Sequence, residues 1–577
     1  MKRWRQVPFD EQAAHRLAGQ LGLPVPVAAV LVGRGCQDPE QAERFLRPRL
    51  SDLCDPFQIP GMAEAVCQIL EMAHNGGDVV VYGDYDADGV CGAALLADVL
   101  NALGVKARTF LPRRRDEGYG LTGKGLSRCL EAGRPELLIT VDCGTSSVAE
   151  VRRLRADGMR VVVTDHHEPA GAVAEADAVV NPRLGSPEAA QWLAGAGVAF
   201  RLCHALVKKS REDGRVARDV DLREWLDVVA IGTIADVVPL VGENRILARH
   251  GLSRLSDKPR AGLAALMEAA GLRRGEVSAG RVAYWIAPRL NAAGRMADAD
   301  TALRLLRESD SSRARELARE LDRANRQRQA VENAMLEEAE AQVARSACSP
   351  GTFGIVAAGD GWHVGAIGIV AARLCGRYHR PAVVIAFDEN GRGRGSCRSV
   401  EKVNMVEVLS GCRDALVGYG GHAMAAGLEI ERANLEAFVQ QFNRLCGERL
   451  SGLEDLQCIR VDALADPSEI DGAFLQANRL IQPCGCGNPE PVYAATDVRI
   501  VGAPRVLKDR HLKLLVGAGG RNLEAIWFNM AGSGVPAGEV DMAFAVDENW
   551  FMGESFLQLR VEDIRPADRA SVGELSR

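Results

Sequence analysis

The stretch Val79-Val80-Val81-Tyr82-Gly83-Asp84-Tyr85-Asp86-Ala87-Asp88-Gly89 decides how this chain is read. Its apolar, β-branched start has the pattern of a strand buried on both faces, as in a parallel sheet. The run then breaks at glycine and offers Asp84, Asp86 and Asp88 at alternate positions. Ionised side by side, three carboxylates repel, and without a cation at least one needs a raised pKa. A divalent metal offsets that crowding most simply.

Working outward, three more apolar runs end the same way. Leu137-Leu138-Ile139-Thr140-Val141 leads into Asp142-Cys143-Gly144-Thr145, and Val161-Val162-Val163-Thr164 into Asp165-His166-His167. Val228-Val229-Ala230-Ile231-Gly232-Thr233-Ile234-Ala235, read as a fourth strand, leads into Asp236. Parallel strands with right-handed crossovers collect ligands at their carboxyl ends. One Asp after a strand is ordinarily a loop residue or helix cap, and one His-His pair is commonly structural. Four such ends in register point to one crevice. Carboxylates with imidazole and no thiolate suit Mn²⁺ or Mg²⁺ better than zinc. Two such ions bridged by one carboxylate would activate water and clamp a phosphoryl group.

The 577 residues leave room for several domains. With 47% hydrophobic and 25% charged residues the composition is that of a globular protein. A net charge of -7 excludes a polycation but not a local basic stripe. The 15 cysteines form no CxxC pair, Cys484-x-Cys486 coming nearest, and read as reduced thiols. Met1-Lys2-Arg3-Trp4-Arg5 has no apolar stretch behind it, and no window approaches ~18 uninterrupted apolar residues. A cytoplasmic protein without membrane contact is expected.

The pattern divides the chain into a helical region at 1–50, an α/β domain at 51–300 and a connector helix at 301–347. A second α/β domain is expected at 348–452, a small β-barrel at 453–566 and a tail at 567–577. The barrel rests on short alternating runs at 496–501, 511–516, 523–528, 540–546 and 555–561.

The Asp84–Gly89 motif, Asp142-Cys143-Gly144, Asp165-His166-His167 and Asp236 together resemble the DHH phosphoesterase superfamily. Further pieces resemble its RecJ family of single-stranded-DNA-specific exonucleases. They are Pro112-x-Arg114-x-x-Glu117-Gly118-Tyr119-Gly120-Leu121, Ala287-Pro288-Arg289-Leu290-Asn291-Ala292-Ala293-Gly294-Arg295 and Gly365-x-Ile367-Gly368-Ile369-Val370-Ala371. Gly420-Gly421-His422-Ala423-x-Ala425-Ala426-Gly427 and Gly485-x-Gly487-Asn488-Pro489-Glu490-Pro491 complete the set. The resemblance runs from about Trp4 to Pro566. It implies a DHH domain with a parallel sheet, a long connector helix, a DHH-associated α/β domain and an OB-like barrel.

The same resemblance implies two divalent cations, Mn²⁺ or Mg²⁺, held by Asp86, Asp88, Asp142, His166 and Asp236, with Asp142 bridging. Asp84 is either a further ligand or an acceptor behind the ligands. Asp165 is expected to orient His166, and His167 to face the scissile phosphate. Tyr82 stands where some superfamily members carry a histidine, which speaks against a ligand there. Arg114, Asn291, Arg295, Ser396, Arg398 and His422 are the implied substrate contacts, arginine forks suiting a terminal phosphate. The implied activity is 5′-to-3′ hydrolysis of single-stranded DNA to 5′-mononucleotides, in repair and recombination. Implied partners are a helicase and a single-strand-binding protein, around a monomeric enzyme. The alternatives are an oligoribonuclease or nucleotide phosphatase with the same metals, and a non-catalytic replication scaffold.

Several features stay open at this level. Gly391-Arg392-Gly393-Arg394-Gly395 is a flexible phosphate-binding run or a plain turn. Trp527, Phe528, Trp550 and Phe551 stack bases or fill the barrel core. Lys508, Arg510 and Lys513 track phosphates or form a solvated face. Arg323, Arg326 and Arg328 line a DNA channel or pair with acids on their own helix.

Overall fold

The computed structural model describes residues 3–567 except 115, 170, 215–219, 297, 347–350, 451–457, 537 and 552–553. The expected tail lies, from 568 onward, outside the described residues, as do the proposed boundaries at 347/348 and 452/453.

Among the described residues the first lobe has a five-stranded sheet ordered Lys106–Phe110, Asp78–Gly83, Leu137–Val141, Arg160–Thr164, Ala178–Val180. All its pairings are parallel. Alternation within Asp78–Gly83 serves two cores. Val79 and Val81 pack with the helices Ala87–Ala102, Gly195–Glu212 and Leu226–Ala235, while Val80 and Tyr82 pack with Leu126, Val151 and Leu154 on the other face. The chain order reverses between Asp78–Gly83 and Leu137–Val141. The crevice at such a reversal is where open α/β sheets bind ligands, and Asp84 and Asp142 stand on either side of it.

The fourth expected strand is a helix, Leu226–Ala235, with Asp236 as its C-cap. A short apolar run buried on every side has the same pattern as strand or helix. Helix wins here because Gly232 lets it approach closely: a Cβ there would meet Ala196 Cβ and Asp88 Oδ1 at 2.7 Å.

The connector is not one helix but two, Asp300–Arg307 and Ser311–Ser346. At the break Glu308 Oε1 accepts the Ser309 and Asp310 N–H groups, and Asp310 Oδ1 accepts those of Ser312 and Arg313. Such local bonds compete with helix continuation and start a new cap. The long helix packs on the first lobe through Ala314, Leu317 and Leu321, and on the second through Met335, Ala339 and Val343.

The second lobe's sheet runs Gly418–Gly421, Ala425–Glu431, Arg392–Arg398, Ala382–Phe387, Ile355–Asp360. The run at 391–395 therefore belongs largely to a central strand, not to a flexible turn. Its glycines are dictated by packing: a Cβ on Gly393 would meet Phe387 at 2.6 Å and Ile385 and Ile430 at 2.9 Å.

The barrel is built from Tyr493–Arg499, Glu539–Phe551, Glu554–Pro566, Arg521–Trp527 and His511–Ala518, and a bridge between Ile500 and Val516 closes it. The amino-terminal helices Glu11–Leu21, Val25–Gly33 and Pro39–Leu46 share its core: Leu17, Val30 and Leu46 cluster with Phe474, Tyr493 and Phe544. The strand Arg3–Gln6 pairs in parallel with Cys458–Val461. Among the described residues the cysteines are free thiols, and no helix is long and apolar enough to cross a membrane.

Candidate metal centre and phosphate cleft

Three sequence-distant strand ends and one helix end bring their acids and imidazoles together. Asp84, Asp86 and Asp142 form one group whose ligand atoms all lie within 4.8 Å of one another. Asp88, His166 and Asp236 form a second, and Asp142, His166 and His167 a third. His166 Nε2 stands at the convergence, 3.0 Å from Asp142 Oδ1, 3.5 Å from Asp236 Oδ2 and 3.9 Å from Asp88 Oδ2.

Local backbone holds these groups in place. Asp86 caps the helix Ala87–Ala102, its Oδ1 accepting the Asp88 and Gly89 N–H groups. Both Asp88 oxygens accept N–H groups from the start of the helix Gly195–Glu212, Gly195 at 2.6 Å and Ala196 at 2.9 Å. A helix amino terminus favours negative charge. Position 195 has to be glycine for this approach, since a Cβ would sit 2.7 Å from Asp142 Cβ. Asp84 Oδ1 accepts the Gly120 N–H at 3.3 Å. Asp142 takes a left-handed φ of 65°, a strained conformation that buried functional residues tolerate.

Without a cation the cluster is electrostatically unsatisfied. Burial, and then neighbouring carboxylates, push Asp84, Asp142 and Asp236 well above the usual carboxylate range. Asp88 is pushed to about 7 by burial and Asp86, against the pull of the Gly195 and Ala196 amides. Burial and the adjacent His167 depress His166 to about 3, so its imidazole is neutral. Asp84 Oδ2, Asp142 Oδ1 and His166 Nε2 are buried with no hydrogen-bond partner among the described residues. Buried polar atoms without partners are costly. Orphaned oxygens and one neutral nitrogen facing each other fit hard divalent cations such as Mn²⁺ or Mg²⁺.

Asp165 does not orient the His166 ring. Its Oδ1 accepts the backbone N–H groups of both histidines and the Nδ1 proton of His167 at 2.7 Å. That turn sets the two rings side by side, centroids 4.4 Å apart, with His166 among the carboxylates and the half-buried His167 at their edge, its Nδ1 3.9 Å from Asp142 Oδ1. Burial alone would raise Asp165, yet the His167 bond and charge and the Thr145 amide hold it at about 2. Burial opposes protonation of His167, but Asp165, Asp88 and Asp86 together raise its pKa. His167 Nε2 lies 2.8 Å from the Tyr119 hydroxyl. Tyr119 was visible in the Gly118-Tyr119-Gly120 motif without a role. Asn181, whose amide donates to the His167 carbonyl and to Thr145 Oγ1, both at 2.9 Å, carried no sequence signal.

A second cluster of opposite sign faces the first. A cavity of about 640 Å³ is lined by Arg114, Arg295, Ser396, Arg398, Gly368 and Tyr419. Arg295 donates to the Gly365 carbonyl at 2.9 Å; burial, then Arg114 and Arg328, lower its pKa to about 10. Arg398 donates to Ser396 Oγ at 3.2 Å and to its neighbour's carbonyl, that of Cys397, at 2.8 Å. The Arg114 guanidinium lies 5.3 Å over the ring of Tyr85, the residue between Asp84 and Asp86. The arginines and the carboxylates are thus neighbours.

Other expected residues fall elsewhere. Asn291 Oδ1 accepts the Ala87 N–H at 2.7 Å, so it braces the acidic loop. His422 is exposed at the end of Gly418–Gly421, while Tyr419 and Gly420 of that strand line the cavity. Tyr82 is buried and donates to the Gly120 carbonyl, away from any ligand role. In the barrel Trp527 is core and Phe528 is 45% exposed; the side chains of Trp550 and Phe551 lie outside the described residues. Lys508 and Arg510 are exposed, whereas Lys513 pairs with Glu524 at 2.6 Å. On the long helix Arg326 pairs with Asp322 and Arg328 with Glu332.

This fold and site define a two-lobed phosphoesterase with a carboxylate-histidine metal centre and an appended OB barrel. Family models match residues 78–233 as the DHH family N-terminal domain, 351–448 as the DHHA1 domain and 461–563 as the RecJ OB domain. The single-stranded-DNA-specific exonuclease RecJ of Bacillus subtilis is 34% identical over 97% of this chain and 70% of its own length. That of Salmonella typhimurium is 35% identical over 94% of this chain and 96% of its own. The crystal structure of RecJ with Mn²⁺ from Thermus thermophilus aligns with a TM-score of 0.81 and 32% identity, covering 98% of this chain and 80% of that one. The chain belongs to the RecJ family of single-stranded-DNA-specific exonucleases.

Proposed function

We propose that this protein degrades single-stranded DNA from its 5′ end, releasing 5′-mononucleotides by two-metal phosphodiester hydrolysis in DNA repair and recombination. The observation that carries the reading is the adjacency of two clusters of opposite sign, orphaned carboxylates on one side of Tyr85 and half-buried arginines lining a cavity on the other.

In this reading Asp84, Asp86 and Asp142 hold one divalent ion, and Asp88, His166 and Asp236 the other, with Asp142 near both. Mn²⁺ or Mg²⁺ bound there would polarise the scissile phosphate and lower the pKa of the attacking water. Relatives crystallised with Mn²⁺ and with Mg²⁺ support that choice. His167, whose protonated form Asp165 favours and whose Nε2 meets the Tyr119 hydroxyl, faces the reaction as a proton and hydrogen-bond donor for the leaving oxygen. Arg114, Arg295, Ser396 and Arg398 grip the terminal 5′-phosphate, which sets polarity because only that end carries one. Asn291 keeps the acidic loop in register. Phe528, Lys508 and Arg510 guide the strand over the barrel. A helicase and a single-strand-binding protein supply the strand, and the enzyme works as a cytoplasmic monomer. The phosphatase and scaffold alternatives are not favoured: full-length relatives are named exonucleases, and the ligand set is complete.

The test is digestion of end-labelled single strands with Mn²⁺. A 5′ label should appear first in mononucleotide, and blunt duplex and RNA should resist. Shortening from the 3′ end, or equal attack on duplex, would overturn the reading.

A further inference from the structure

Next to the phosphate cleft lies a second cavity, of about 400 Å³. It shares Arg295 with the first cavity. One wall is Ala235 and Val237, the residues flanking the candidate ligand Asp236. Another includes Asn291, which bonds the backbone between Asp86 and Asp88. A third is the loop Cys484-Gly485-Cys486, which leads toward the barrel; there the Leu240 N–H donates to the Cys486 carbonyl at 2.8 Å. The cavity therefore adjoins the phosphate cleft, the metal centre and the loop that leads toward the barrel.

Its lining is mostly apolar, with Asn291, Arg295, Arg328 and Tyr284 as its polar side chains. Arg328 is buried on the long helix; Nη1 pairs with Glu332 at 3.0 Å, but Nε has no hydrogen-bond partner among the described residues. At the rim stands Tyr284, 81% exposed, beside Val237, 68% exposed and at a left-handed φ of 61°. Tyr284 lies in a π-helical turn, Val282–Ile286, pinned inward by Val282 and Ile286. Such turns are rare and concentrate at functional sites. A tyrosine ring this exposed beside an apolar recess is an unsatisfied flat surface.

We propose that this cavity seats the base of the nucleotide immediately 3′ of the scissile phosphate, with Tyr284 stacked against it. The inference rests on the exonuclease reading and adds a base site that the metals and phosphate cleft do not supply. The occupant is a nucleobase because the recess joins two charged sites spaced along one strand, and because an aromatic face accepts any base without sequence preference. A paired base presents no free face, so the seat also selects for single strands.

The experiment compares 5′-phosphorylated oligothymidylate with the same strand carrying an abasic second nucleotide. The wild-type protein should lose about 5- to 150-fold in kcat/KM on the abasic strand, chiefly through KM. Tyr284→Ala should show that loss already on the intact strand and no further loss on the abasic one. Tyr284→Phe and Tyr284→Trp should restore wild-type behaviour, and all three variants should melt with the wild type because the side chain is exposed. Tyr284→Ala matching wild type on the intact strand, or showing the full abasic loss again, would overturn the base seat while leaving the exonuclease reading intact. Failure of the wild type on intact single strands would overturn both.

Discussion

At the carboxyl edge of the first sheet, acids are packed together with too little positive charge. Across Tyr85, Arg114, Arg295 and Arg398 are packed together with too little negative charge. The fold holds both clusters by the same means. Amide N–H groups of Gly195, Ala196 and Gly120 point at the acids, and carbonyls of Gly365 and Cys397 point at the arginines. What differs is access. Asp84, Asp88 and Asp142 are nearly sealed, at 0–2% exposure, whereas the arginines keep an open face on a cavity of about 640 Å³. A sealed cluster suits a compact ion, and an open one suits a larger anion such as a phosphate. Elsewhere the molecule buries charge in opposite-sign pairs, such as Asp227 with Arg260 at 3.3 Å, and those pairs are structural. Groups of one sign brought together without opposite-sign partners mark the candidate working sites.

The comparison is broken most severely at its acid side. Asp142→Asn keeps the left-handed backbone that asparagine tolerates but removes the charge shared by two ligand groups. Hydrolysis should fall by more than about 10³-fold with the fold intact. Near-wild-type turnover in a single-strand digest would show that Asp142 is no bridge.

On the arginine side, Arg398→Ala should cost about 30- to 100-fold on 5′-phosphorylated strands, the worth of one charged hydrogen-bonding contact. Strands with a 5′-hydroxyl should lose far less. Equal loss on both ends would remove the phosphate assignment.

The acid side also predicts a pH dependence of the metal-free protein. Asp88 near 7, and Asp84, Asp142 and Asp236 well above the usual range, mean that the fold binds more protons than the unfolded chain above about pH 4. Stability in a chelator should therefore fall as pH rises from about 4 through about 7. His167 acts in the same direction, its contribution being lost as pH rises through its raised value. His166, depressed to about 3, opposes this by adding stability as pH rises toward about 6.5, but it is one group against four raised carboxylates and His167. Asp165 also acts oppositely, and only in acid, where stability is lost as pH falls toward about 2. Melting temperatures in chelator across this range should slope downward, and saturating Mn²⁺ should flatten the slope. A flat chelator curve would mean that the acids are not crowded.

The smallest effect is expected farthest away. Phe528→Ala in the barrel should weaken binding of long single strands by about 5- to 10-fold and leave very short ones unaffected. Phe528 packs edge-on with His511, ring centroids 5.1 Å apart, so a stacking platform is present there. Point substitution is cleaner than removal of the barrel, which would strip the amino-terminal helices of the core they share with it.

Much of the centre was legible in the chain because its information is local. An apolar run followed by Asp states both a strand and what its end carries. That held for Asp84, Asp142 and Asp165, whose strands lie side by side in the first sheet. It failed for the run before Asp236, because a segment buried on all sides has no exposed face to reveal its period. It failed again for Asp165, whose ring partner depends on a two-residue turn rather than on adjacency.

By itself the sequence determined the chemistry: residue types, their order along strands, and a family whose motifs span the chain. Only the tertiary structure decided which atoms meet. It put Asn291 behind the acidic loop, Tyr119 on His167, and the amino-terminal helices and the barrel in one core. It also opened two cavities that share Arg295. Such contacts join residues far apart in sequence, and they follow from how apolar faces pack, which no single segment encodes.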